Sequence, residues 1–149
     1  KGYAYGREDV TAKSLANAYS QVIGNIFSME IKPLEVEILV LEVGEGGSLN
    51  ELYRIAFDGS IADEKGYTSI GGQAEELKLF LKDKFTEGLG LEAALQLAAR
   101  ALEATASQKV KAASLEVAAL ERSRQGRKFR RISQAELRVV LEKGTNGGD

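Results

Sequence analysis

The stretch EVEILVLEVG, residues 35–44, limits most strongly what this chain can fold into. In an extended strand Val36, Ile38 and Val40 project to one side, and Leu39, Leu41 and Val43 to the other. A strand apolar on both faces is expected to be covered on both sides. The chain has 149 residues, which suits one domain. A chain of this size can bury roughly 70% of the surface its unfolded form exposes, enough for a two-sided core.

The other elements follow from local pattern. Thr11 is placed to cap a first helix, whose apolar positions are Leu15, Tyr19, Val22, Ile23 and Ile26, and Lys32-Pro33 stops it. After a loop at Gly44–Ser48, ELYRIAF reads as a second strand with Tyr53, Ile55 and Phe57 on one face. Asp58-Gly59 marks a turn or strand end, and YTSIGG reads as a third strand. Two helices are expected next. One carries the stripe Leu77, Phe80, Leu81 and Phe85, the other Leu91, Leu95, Ala98 and Leu102, with TEGLG between them. SLEVAAL alternates at Leu115, Val117 and Ala119, ERSRQGRK turns the chain back, and KFRRI is the returning strand. Ser133 and Glu136 have capping-box spacing ahead of a last helix with Leu137, Val140 and Leu141 on its apolar face. The expected organisation is a single α+β domain over residues 1–143 and a disordered tail over residues 144–149.

Composition excludes several chemistries. Cys and His are both absent, so disulfides, thiolate catalysis, zinc fingers, imidazole bases and Ser-His triads are ruled out. Lys1 offers neither the hydroxyl nor the thiol of an N-terminal nucleophile. Net charge is −2, which argues against a dedicated nucleic-acid binder. No apolar run reaches membrane-span length, no secretory signal is read at the start, and a cytoplasmic location is expected.

Four features invite a functional reading, and each has a plainer one. Gly71-Gly72 sits where a phosphate loop would, but Gln73-Ala74-Glu75-Glu76 follows in place of a phosphate motif. The favoured reading is a strand-to-helix corner where small residues let backbones approach. Asp58, Asp63 and Glu64 could serve hydrolysis or a cation, yet match no calcium loop, and a solvated connection is favoured. The basic run Arg122, Arg124, Arg127, Lys128, Arg130 and Arg131 could bind phosphate or an acidic partner. Without interleaved aromatics other than Phe129 it reads better as a charged hairpin edge. Tyr3, Tyr5 and Tyr19 read as packing groups. No catalytic, cofactor-binding or metal residue is assigned, and no cofactor is expected.

Taken in order, KGYAYGREDVTAKSLANAY, KPLEVEILVLEVG, ELYRIAFDGSIADEKGYTSIGG, ASLEVAALERSRQGRKFRRIS and the closing helix resemble proteasome α subunits of the actinobacterial type. ELYRIAFDGSIADE and FRRI carry the most specific likeness. The resemblance covers essentially the whole chain, and the N-terminal third of the family pattern is expected to be missing. It implies the N-terminal-nucleophile hydrolase fold, a four-layer αββα sandwich, here incomplete at its N-terminal strands. It implies a non-catalytic structural subunit that assembles rings, gates substrate entry for protein degradation, and meets proteasome β subunits, neighbouring α subunits and an ATPase activator ring. A homo-oligomer is expected, with no nucleic acid and no membrane. The competing readings are a β-like threonine peptidase fragment and a stand-alone interaction module using the basic hairpin.

Overall fold

A computed structural model describes residues 36–146 of the chain, and along the sequence two compact units adjoin at Gly71 and Gly72. The expected first helix with Thr11, the tyrosines Tyr3, Tyr5 and Tyr19, the stop at Lys32-Pro33, and Lys1 lie outside the described residues, as do residues 147–149.

In the first unit β1 (Ile38–Glu42), β2 (Glu51–Ile55) and β3 (Ile61–Asp63) form an antiparallel meander in the order β1-β2-β3. The register sets Ile38 opposite Ile55, Val40 opposite Tyr53, and Ile61 opposite Ile55. These residues share one face. Ile55 is completely buried there and Tyr53 nearly so, with Ile38 and Val40 packed against them. The other face holds Leu39, Leu41, Leu52 and Ala62. Covering on both sides is not what the described residues show: Leu39 and Val43 are half-buried and Leu41 is 56% exposed. The physical reason lies in the same register. Arg54 stands opposite Leu39 and pairs with Glu64 at 3.1 Å, and both charges keep access to water on that face.

The third strand also differs from the sequence expectation. It is Ile61–Asp63, and residues 67–72 form no strand. Asp58-Gly59 closes the chain too tightly for a later segment to pair first. The Ala56 N–H donates to the Ser60 carbonyl at 2.9 Å and the Gly59 N–H to the Ala56 carbonyl at 3.0 Å, with Gly59 at φ 85°. Residues directly after the turn therefore meet β2, and Phe57, placed in the turn, is 44% exposed instead of continuing the inner face.

Gly44 ends β1 under a different constraint. Its N–H donates to Asn50 Oδ1 at 2.9 Å, and a Cβ built there would stand 2.0 Å from the Ser48 carbonyl oxygen. Gly44→Ala is expected to destabilise the sheet by about 1–3 kcal/mol through this backbone overlap. Gly72→Ala, where a Cβ meets nothing within 4 Å, is expected to change little. Urea midpoints of the two variants check the contrast, and equal midpoints would show that the Gly44 turn opens freely.

The second unit runs α1 (Ala74–Lys84), α2 (Leu91–Ala106), a 3₁₀ turn (Ala112–Ser114), β4 (Ala118–Leu120), β5 (Phe129–Arg131) and α3 (Gln134–Asn146). In α1 the stripe Leu77, Phe80, Leu81 and Phe85 is half-buried, and Phe85 forms the C-cap. The stripe expected on α2 needs correction. Leu95 is buried, but Leu91 and Ala98 are exposed and Leu102 is half-buried, while Leu97, Ala99 and Ala101 are buried. Leu97 and Ala101 lie on the side of the helix away from Leu95 and Ala99. Both α1 and α3 pack against α2, and a helix with two neighbours buries two arcs where the sequence reading allowed one.

Leu95, Ala112, Ile132, Leu137 and Val140 form this unit's core, with Leu115, Val117 and Ala119 packed against it in the alternation read from the sequence. β4 and β5 pair antiparallel, Ala119 opposite Arg130. Ser133 caps α3 as its spacing suggested, its Oγ accepting the Glu136 N–H at 3.2 Å. The helix continues to Asn146, so Gly144–Asn146 of the expected tail are helical. Gly144 serves close approach there. A Cβ would lie 3.0 Å from Gln96 Cγ, and Gln96 Nε2 donates to the Val140 carbonyl at 3.1 Å.

Candidate functional site

The basic run is confirmed as a hairpin, and its cations do two different jobs. Arg130, at the base on β5, is held between two carboxylates. Its Nη2 lies 2.7 Å from Glu121 Oε1 and its Nη1 2.8 Å from Glu136 Oε2. The Nε also donates to Glu121 Oε1 at 2.9 Å, so the guanidinium fork ties the hairpin to the first turn of α3. The hydrogen bonds it donates to Glu136, then to Glu121, push its pKa further above the ordinary arginine value. Glu136, whose backbone N–H is capped by Ser133, thus directs its side chain to Arg130.

The tip is fixed by carbonyls. Arg124 Nη1 donates to the Phe129 carbonyl at 3.0 Å, and Lys128 Nζ donates to the carbonyls of Arg122 at 2.8 Å and of Arg124. Such bonds orient a cation and leave its charge in place. Arg127 stands 5.3 Å over the Phe129 ring, so the aromatic face next to the run is already covered. Arg122, Arg127 and Arg131 are exposed.

The three carboxylates weighed as a second candidate are not gathered into one site. Asp58 belongs to the hairpin turn, where its Oδ1 accepts the Ser60 hydroxyl at 2.7 Å and the Ser60 N–H at 2.9 Å. Asp63 pairs with Lys65 at 3.4 Å, and Glu64 with Arg54. Among the described residues no group of three or more His, Cys, Asp or Glu is placed to hold a metal ion. The Ser60 bonds hold the Asp58 carboxyl below its ordinary value. A depressed folded pKa gives stability that is present above the unfolded value of about 3.9 and is lost as pH falls through the folded one. Asp58→Asn is therefore expected to flatten the acid side of a melting-temperature series. An unchanged acid slope would show that the turn bonds are not linked to folding.

The expected strand-to-helix corner at Gly71-Gly72 is not formed, because no strand leads into it, and the glycines do not serve close packing. Neither glycine has a neighbour within 4 Å of a built Cβ, and Gly71 is there for its φ of 104°. α1 begins directly after, with Glu75 and Glu76 in its first turn. In the second unit a cleft of about 400 Å³ opens between the 3₁₀ turn and α3. Lys111, Arg138 and Glu142 are at its polar rim and Ala112 and Leu141 at its apolar wall.

One arrangement was not read from the sequence. Glu42 stands directly opposite Glu51, and Asp63 opposite Tyr53, on the face that buries Tyr53. Burial, then the charges of Glu51 and Asp63, a bond to Glu51, and Glu42 push the Tyr53 hydroxyl up from its ordinary value. The three carboxylates are separated in sequence and only strand register brings them together.

The sequence profile described as "Proteasome subunit" matches residues 1–120, and the chain belongs to the proteasome subunit family. It is 46% identical over 144 residues to the proteasome subunit alpha of Thermomonospora curvata, covering 96% of this chain and 63% of that protein. It is 46% identical over 155 residues to that of Saccharopolyspora erythraea, covering 100% of this chain and 60% of that protein. For the proteasome subunit alpha of Streptosporangium roseum the identity is 45% over 144 residues, 97% of this chain and 56% of that protein. The chain thus spans between 56% and 63% of the length of these three curated relatives. Among the described residues no helix is long and apolar enough to cross a membrane.

Proposed function

We propose that this chain acts as a non-catalytic, structural α-type subunit of a bacterial proteasome, with a part in ring assembly and in gating substrate entry for protein degradation. The observation that carries the reading is identity of 46% to proteasome α subunits across nearly the whole chain. In this reading residues 1–143 act as one proteasome-subunit-like domain with four-layer αββα architecture. The partners are proteasome β subunits, neighbouring copies of the same chain in a homo-oligomer, and an ATPase activator ring in the cytoplasm. No role for nucleic acid, membrane, metal or cofactor enters.

The competing reading is a β-like threonine peptidase fragment. It needs an N-terminal hydroxyl nucleophile. Incubation with fluorogenic peptides and a threonine-directed covalent inhibitor separates the two. The expected result is no turnover and no adduct, together with co-sedimentation when the chain is expressed beside a proteasome β subunit. Inhibitor-sensitive turnover with an adduct on this chain would overturn the proposal.

A further inference from the structure

The turn between β2 and β3 carries a reactive pair. Asp58-Gly59 is the one Asp-Gly step in the sequence. Glycine has no Cβ to hinder its nitrogen, which can attack Cγ of the preceding aspartate. A C–N bond forms, the nitrogen gives up its proton, and one carboxyl oxygen leaves as water. The product is a cyclic imide, which water opens at either carbonyl. Opening at Cγ restores aspartate. Opening at the main-chain carbonyl breaks the original peptide bond, and the chain then runs through Cβ and Cγ as isoaspartate. One water is released, one is taken up, and nothing is oxidised or reduced.

Both reactants are held in this turn. Asp58 is exposed to water, but its Oδ1 accepts the Ser60 hydroxyl at 2.7 Å and the Ser60 N–H at 2.9 Å. These bonds turn the carboxyl toward Ser60 and favour its charged form. A carboxylate is a poor target for attack, because its oxygen leaves as water only after protonation. The same bonds hold the carboxyl below its ordinary value, so the protonated form is scarce at neutral pH. The nucleophile is engaged as well. The Gly59 N–H donates to the Ala56 carbonyl at 3.0 Å, and Gly59 is set at φ 85°. Reaction therefore waits for the turn to open locally.

The product does not fit the closed turn. β2 ends at Ile55, β3 starts at Ile61, and these two residues already face each other. Between them the Ala56 N–H reaches the Ser60 carbonyl at 2.9 Å. Isoaspartate adds a carbon to the main chain inside that loop and removes the side-chain carboxyl that Ser60 holds. β3 has little else to keep it in place. Among the described residues it pairs with β2 alone, over Ile61–Asp63, with the Glu64 N–H donating to the Leu52 carbonyl just beyond.

We propose that Asp58-Gly59 is a self-modification site, guarded by Ser60, whose conversion to isoaspartate releases β3 from β2.

Ageing in water enriched in heavy oxygen tests it, because opening of the imide incorporates the label. The full-length parent, Ser60→Ala and Gly44→Ala are held folded in warm neutral buffer, and the parent also in denaturing urea. Peptide mapping by mass spectrometry measures label and isoaspartate at Asp58. The parent in urea is expected to react fastest and the folded parent about a hundredfold more slowly, with Ser60→Ala roughly tenfold faster than the folded parent. Gly44→Ala weakens the same sheet but keeps both Ser60 bonds, so it should react like the folded parent. In the aged, isoaspartate-bearing chain, hydrogen exchange should show the Glu64 amide unprotected and the β1–β2 pair unchanged. Absence of isoaspartate at Asp58 even in urea overturns the site. Equal rates for Ser60→Ala and the folded parent overturn the guard. So does a Gly44→Ala rate that matches Ser60→Ala, which would assign the protection to overall stability. A Glu64 amide that stays protected in the isoaspartate form overturns the release of β3.

Discussion

Ile55→Asp is expected to leave the three-stranded sheet without a stable fold at neutral pH. Ile55 has no exposed surface and forms one cluster with Tyr53, Ile38 and Val40. A carboxylate placed there loses its water, and among the described residues its cluster of Tyr53, Ile38 and Val40 offers it no cation. Burying a polar group without a partner costs several kcal/mol, against a total domain stability of about 5–15 kcal/mol. The pH dependence fixes the sign. Burial raises the folded-state pKa of the new carboxyl above its unfolded value of about 3.9, so the variant fares best in acid. Its deficit relative to the parent widens as pH rises through the unfolded value. Val40→Asp should be milder, because Val40 is half-buried and its carboxylate keeps a path to solvent. Circular dichroism melts of both variants at neutral and mildly acidic pH provide the check. If Ile55→Asp melts within a few degrees of the parent, Ile55 faces solvent and the described register is wrong.

How much of this was legible beforehand depends on how local each signal is. Ser133 and Glu136 are three residues apart, and the cap they form is where the spacing put it. The alternation of Leu115, Val117 and Ala119 likewise needed only neighbours to be read. Asp58-Gly59 announced a turn, but not that the residues straight after it would supply the third strand at Ile61–Asp63. YTSIGG looked more like a strand because it is richer in β-forming residues, and turn geometry overrode that preference. The two buried arcs of α2 were hidden for a related reason. Ala99 and Ala101 are weak markers of burial in a sequence, and only the neighbours on both sides of the helix show that they are inside.

The same division applies to the charges. The basic run was plain in the sequence, and its place in a hairpin followed from the strands around it. The pairing of Arg130 with Glu121 and Glu136 was not readable, because Glu136 already had a complete local explanation as part of a capping box. Nor was the meeting of Glu42, Glu51 and Asp63, which depends on the register of three strands. Family resemblance was legible across the chain because it rests on extended stretches, which tolerate an error in any one element. It names what the chain resembles and leaves its contact surfaces unassigned.

Leu137→Ala should produce the largest loss in the second unit. Leu137 is on α3 with no exposed surface, and it packs in one cluster with Leu95 of α2, Ala112 of the 3₁₀ turn, Ile132 after β5 and Val140. Three other segments converge on its side chain, so none can move in to fill the space without leaving another. A truncation that leaves such a cavity costs about 2–5 kcal/mol, with the upper half expected where the walls cannot collapse. Val139→Ala is the matched control two residues along the same helix. Val139 is 51% exposed, so its truncation empties no cavity, and alanine's higher helix propensity offsets the slight reduction in packing, leaving a change within about 0.5 kcal/mol. Urea unfolding monitored by circular dichroism gives both midpoints. The slope should stay constant, because neither change alters how much surface unfolding exposes. The cavity also reaches the hairpin. Ile132 and Leu137 lie on either side of Glu136 in the sequence, so loosening them is expected to weaken the hold of Glu136 on Arg130. Adding Arg130→Met to Leu137→Ala should therefore cost less than the two changes summed from separate variants. Strict additivity would show that the core and the guanidinium clamp stabilise the hairpin independently. Equal midpoints for Leu137→Ala and Val139→Ala would place Leu137 outside the core.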